Sequence, residues 1–248
     1  MSQDGIRSIS DENRDEVPEL PSLPVRIVQV FTAPTTLFDA LKITPRWIGA
    51  ALVVIGLGLV VQALIPAELI REMALASLPS DATPEQVAAV EGFMGVSNVI
   101  RWVGTVVFPI FMILFVSGFI LLVWNAILGG EAEFSAVMAC TAHSYIVWAA
   151  GGLITMPLVL ARQDLRTTFS LHLLTPWLDS GTYAYRFMAG LNVFGLWTMI
   201  LLGVAVSRLY PKVSAVSAST VMVGAYVVFK AISAIFSPWS MRRAVSST

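Results

Sequence analysis

Residues 102–161 read WVGTVVFPIFMILFVSGFILLVWNAILGGEAEFSAVMACTAHSYIVWAAGGLITMPLVLA, two long apolar runs with the acidic pair Glu131 and Glu133 between them. A helix needs about 20 apolar residues to cross a ~30 Å hydrocarbon core, and a charge near its centre costs roughly 2.5 kcal/mol or more. Both runs satisfy this. Gly129 and Gly130 leave room only for a tight turn, so the stretch predicts a transmembrane helical hairpin with spans over about 102–129 and 134–161.

Working outward, residues 47–67 form one further uncharged run. Residues 187–207 and 213–238 form two more, separated by a short turn with Pro211. Lys230 is the single charge in the last run and can snorkel to the interface. The sequence therefore predicts an all-α membrane protein with five transmembrane helices, one helix plus two helical hairpins. Composition agrees. Hydrophobic residues make up 56% of the 248 and charged residues only 12%, against about 25% charged in soluble domains.

Outside the spans, residues 1–24 form a polar tail with six carboxylates against two arginines. That composition predicts disorder, and the tail lacks the basic start and apolar stretch of a signal peptide. Residues 25–46 place Ile27, Val30, Phe31, Leu37, Phe38 and Leu41 at helical spacing, with a break at Pro34. They predict an N-terminal interfacial amphipathic helix, and Thr36 to Asp39 resembles a capping box. Thr83, Pro84 and Gln86 make a strong helix start in the first long loop. The apolar segment Phe169 to Leu178 is too short to cross and predicts a re-entrant or surface element. Residues 240–248 are left as a C-terminal tail.

Arg26, Lys42 and Arg46 precede the first span and only Arg71 closely follows it, which favours a cytoplasmic N-terminus and, with five spans, a C-terminus outside. Arg162, Arg166, Arg186, Arg242 and Arg243 would then lie outside, so the whole-chain tally opposes the first-span rule.

The net charge of −1 offers no basic field for nucleic acid. A single cysteine, Cys140, excludes an intrachain disulfide. No Asp or Glu lies inside any run, and neither a Gly-x-Ser-x-Gly elbow nor a His-Glu-x-x-His helix occurs, so no catalytic residue, metal site or cofactor is expected. Glu131 and Glu133, without a third ligand, read as a solvated turn.

Gln62, Asn125, His143, Asn192 and Lys230 are the polar residues at membrane depth and the default functional candidates. His143 could relay protons or bind a ligand, but a lone histidine more often hydrogen-bonds a neighbouring helix. Asn125 and Asn192 sit near span ends, where an amide can tie helices together at ~0.6–2 kcal/mol each. Trp47, Trp102, Trp124, Trp197 and Trp239 fall near predicted span ends as an aromatic belt requires. Small residues, including Gly56, Gly58, Gly203 and the Thr220-x-x-x-Gly224 pair, supply close-packing surfaces. Thr220 and Gly224 are the first candidates for a partner face. Pro109 and Pro157 lie within predicted spans and predict kinks.

Phe31 to Trp47, FTAPTTLFDALKITPRW, joins a Phe-x-x-Pro-x-x-x-Phe pattern to a Pro-Arg-Trp span entry. Thr175-Pro176-Trp177-Leu178, Gly181, Leu191 to Trp197 and Leu201-Leu202-Gly203 follow in order, with Gly129 to Phe134 and Ala142 to Tyr145 between. Over roughly residues 25–237 this resembles the bacterial Yip1-domain family of integral membrane proteins. The resemblance implies five spans, a cytoplasmic N-terminus in the bacterial cytoplasmic membrane, and no enzymatic activity. The Asp-Leu-Tyr-Gly-Pro signature of the eukaryotic branch, which works with Rab GTPases, is absent. The function so implied is an adaptor or accessory subunit of another membrane complex, such as an ABC-type exporter, or self-association within the lipid bilayer. The alternative is a small-molecule or lipid transporter with a polar cavity between the hairpins.

Overall fold

A computed structural model describes residues 20–179 and 181–236. Most of the acidic tail, Trp239, Arg242, Arg243 and the C-terminal tail lie outside the described residues. Within them the chain is all-helical, with α1 Leu23–Thr32, α2 Pro34–Ile43, α3 Ile48–Leu64, α4 Ala67–Leu75, α5 Pro84–Leu121, α6 Phe134–Arg162, α7 Tyr183–Gly190, α8 Val193–Leu209 and α9 Ala215–Phe236. A π-helical turn, Leu122–Ile127, extends α5, and Leu171–Leu174 form a 3-10 turn.

Among the described residues three helices are long and apolar enough to cross a membrane: α5 with its π extension, α6 and α9. A fourth is reached if α3 and α4, bent by 74° at Ile65-Pro66, count as one span. Helix α8 is apolar and has 17 residues, about 26 Å of rise. These helices are compatible with a membrane-embedded protein.

Helix α6 is the centre of the bundle, packed against α1, α2, α3, α5 and α8. In its most apolar stretch 44% of residues are buried, against 17% in α5 and in α9, so α5 and α9 flank the bundle and α6 threads it. Small side chains make this possible: Ala136, Ala139, Cys140, Ala142, Ser144 and Gly151 are all buried along α6. The hairpin turn before it closes as expected. Gly129 adopts φ +70°, open to glycine without steric cost, and a Cβ on Gly130 would run into the Tyr210 ring and the Trp124 carbonyl.

Several expectations are corrected. The capping box at Thr83 and Gln86 forms in full, but the helix it starts does not stop before the second span. No proline lies between Pro84 and Pro109 to end it, and α5 runs unbroken for 38 residues, through Gly95 and Gly104. The fourth run breaks instead at Leu191-Asn192, where the Asn192 side chain caps α8. Thr36 to Asp39 is not a capping box, because Pro34, with its preset φ, already occupies the first turn of α2. The segment around Phe169 to Leu178 is a short 3-10 turn, tied to the head of α8 by a bridge between Ser170 and Asn192.

The N-terminal segment forms two helices, broken at Ala33-Pro34, rather than one. Val30, Leu37, Phe38 and Leu41 are fully buried, while Val25, Val28 and Phe31 stay exposed, so one face of α1 and α2 is docked on the bundle. Asp39 of α2 receives a bidentate pair from Arg208 at the end of α8, at 2.7 and 2.6 Å. At the α1 end, Phe31 meets Trp197 edge-on with centroids 5.7 Å apart. Trp197 and Arg208 are separated by about 16 Å of helical rise, so the pair is laid along much of α8.

Candidate functional site

The polar residues singled out from the sequence do not all converge on one site. Asn125, re-aimed by the π turn, fastens its own hairpin: Nδ2 donates to the Ala132 carbonyl at 2.9 Å and Oδ1 accepts the Ala132 N–H at 3.3 Å. Oδ1 also accepts the Tyr210 hydroxyl at 2.6 Å, which joins the turn before α6 to the turn after α8. Tyr210→Phe is expected to lower stability by about 1 kcal/mol. Thermal unfolding in detergent measures this, and no change in either Tyr210→Phe or Asn125→Leu would sink the assigned role.

His143 is fully buried on α6. Its Nδ1 lies 2.7 Å from the Ala139 carbonyl, which can only accept, so Nδ1 carries the proton. Nε2 is then left to accept from Arg26 Nη1 at 3.3 Å. Arg26 also donates to the Arg46 carbonyl at 3.2 Å and is 7% exposed. Burial, then the neighbouring Arg46 charge, lowers the Arg26 pKa from its ordinary value. The sequence reading counted Arg26 only as an orientation signal. Its spacing of one helical turn from Val30, on the apolar stripe of α1, was the available clue to a buried role.

Asn192 caps α8, its Oδ1 accepting the N–H groups of Phe194 and Gly195 at 2.9 and 3.1 Å. Lys230 forms no ion pair among the described residues. Its ammonium lies 5.5 Å from the Tyr226 ring centroid and 5.8 Å from that of Phe229. Trp197 meets Phe31 edge-on yet stays exposed, whereas Trp124 is only 2% exposed against Tyr210 and is no lipid-facing belt residue. Thr220 and Gly224 both face outward from α9, and a Cβ on Gly224 would meet nothing within 4 Å. Among the described residues no group of three or more His, Cys, Asp or Glu side chains could hold a metal ion.

A cavity bordered by described residues lies at the opposite end of the bundle from the N-terminal pair. It measures about 340 Å³, between α3, α5, α6 and the loop leading to α7. Gln62, Arg101, Thr155, Thr167, Thr168 and Asn192 supply its polar lining. Trp148, Met156, Val159 and Leu165 form apolar wall. With its amide oxygen turned toward α5, as the hydrogen-bond network requires, Gln62 accepts from Arg101 Nε at 2.8 Å. Of the membrane-depth candidates, Gln62 and Asn192 border this space; Asn125, His143 and Lys230 do not. Beside it, His172 pairs with the Ser170 hydroxyl at 2.6 Å, and burial followed by the Arg162 charge lowers its pKa from the ordinary value. No family model, curated protein or solved structure matches the chain.

Proposed function

We propose that this chain is a five-pass helical membrane protein with a cytoplasmic N-terminus that acts without chemistry of its own, as an adaptor or accessory subunit of another membrane complex. An ABC-type exporter is the partner that the Yip1-like sequence pattern favours. The observation that carries this reading is how the small residues are divided. Gly203 and Gly151 are consumed in internal helix crossings, whereas Thr220 and Gly224 lie one turn apart on the open face of α9, where a second helix can approach closely. The polar residues at membrane depth support it from the other side, since Asn125, His143 and Asn192 are each taken up by partners within the chain. Alternate placement of helix ends accommodates five passes: Asp39 and Arg208 meet at one end, Gln62 and Arg101 at the other.

Purification in several mild detergents tests the proposal. The wild type should carry a membrane complex in fixed ratio, and Gly224→Leu should reduce that association at least tenfold while leaving the isolated protein folded. Recovery of the wild type alone in every detergent would count decisively against it. A transporter reading is weaker because Asn125 and His143 lie away from the cavity.

A further inference from the structure

We propose that the 340 Å³ cavity holds the anionic headgroup of a glycerophospholipid, with Arg101 meeting the phosphate and an acyl chain lying on the apolar wall. The inference concerns a lipid site and stands whether or not a partner complex exists.

Charge balance makes the first argument. Arg101 is held by neutral amides alone: Gln62 on Nε, and Asn98, whose Oδ1 accepts from Nη2 at 3.1 Å. No hydrogen bond within the described residues occupies Nη1, and no carboxylate lines the cavity. A guanidinium fixed beside an apolar wall without a counter-ion draws an anion, and a phosphate oxygen pair matches its fork geometry. Arg101 is thus fixed in position yet electrically unanswered.

Depth makes the second. Gln62 stands in the last turn of α3, and Trp102 follows Arg101 directly, which places the pair where headgroups lie. The hydroxyl of Thr167, a residue 8% exposed, makes no hydrogen bond within the described residues and borders the same space.

The wall makes the third. A small soluble anion would leave Trp148, Met156, Val159 and Leu165 facing empty space, whereas an acyl chain covers them at about 25 cal/mol per Å² of apolar area. The volume lies at the low end of the ~300–1,000 Å³ typical of ligand sites, room for a headgroup and the upper part of one chain. Gly152 keeps that space open. A Cβ there would meet only Val61, at an ordinary 3.6 Å.

The test titrates the full chain, in a mild neutral detergent, with phosphatidylglycerol, phosphatidylcholine and inorganic phosphate, and counts retained ligand by native mass spectrometry. Phosphatidylglycerol should be retained at least tenfold more tightly than phosphatidylcholine, and inorganic phosphate not at all. Arg101→Gln should lose that tenfold preference. Gly152→Val, which fills the cavity without altering charge, should weaken phosphatidylglycerol retention and decides the matter if Arg101→Gln does not fold. Equal retention of the two lipids by the wild type overturns the proposal, as does undiminished retention by both variants. Retention of inorganic phosphate as tight as that of phosphatidylglycerol overturns the lipid assignment in favour of a soluble anion.

Discussion

Gly203→Val should unfold or separate the α8–α9 hairpin, at a cost of about 3 kcal/mol or more. A side chain at Gly203 would overlap the backbone N and Cα of Ser219 as well as its hydroxyl. Rotamer changes can relieve a clash with a side-chain tip, but a clash with backbone forces the two helices apart. Overpacking of this kind typically costs about 1–3 kcal/mol and more when backbone must move. Separation also breaks the hydrogen bond from Ser219 to the Ile200 carbonyl, now 3.2 Å. Gly224→Val is the matched control on the open face of α9, and it should change stability by less than about 0.5 kcal/mol. Apparent melting temperatures in the same detergent compare the two, and equal shifts would refute the division between internal and outward-facing small residues.

Trp124→Ala should be the most damaging single truncation at the first hairpin, about 3–5 kcal/mol. The indole is 2% exposed, its ring centroid 6.4 Å from that of Tyr210, and its carbonyl accepts the Gly130 N–H at 2.8 Å. Removing the ring opens a hole at the junction that Asn125, Ala132 and Tyr210 tie together. A tryptophan in a lipid-facing belt would lose far less. Trp177, 75% exposed, gives the comparison, with an expected cost below about 0.5 kcal/mol. Denaturant titration in mixed micelles measures both, and a Trp124→Ala loss no larger than that of Trp177→Ala would return Trp124 to the belt.

The readings that succeeded rest on local chemistry. A capping box, a positive-φ glycine and an unbroken apolar run are each decided within a few residues, so Thr83 with Gln86, the turn at Gly129 and the bounds of α6 could be taken from the chain itself. The readings that failed needed a partner distant in sequence. Asp39 was read as a cap because its neighbours looked right for one, and its partner Arg208 lies 169 positions away. Arg26 counted only toward orientation, and its partner His143 is 117 positions away. The cavity joins α3, α5, α6 and the α6–α7 loop, so no single segment announces it, and Arg101 looked like an ordinary residue at a span boundary.

By itself, then, the sequence determined an all-helical, apolar architecture and the tight turn of its first hairpin, because hydropathy, helix length and turn geometry are properties of contiguous residues. Only the tertiary structure decided which face of each helix is covered. It docked one face of α1 and α2 onto the bundle, spent Asn125, His143 and Asn192 on hydrogen bonds within the chain, and left Arg101 without a counter-charge beside an open space. Apolar and small residues look alike in sequence whether they meet lipid or another helix, and a polar side chain's role depends on what lies within 3 Å of it once the chain has packed.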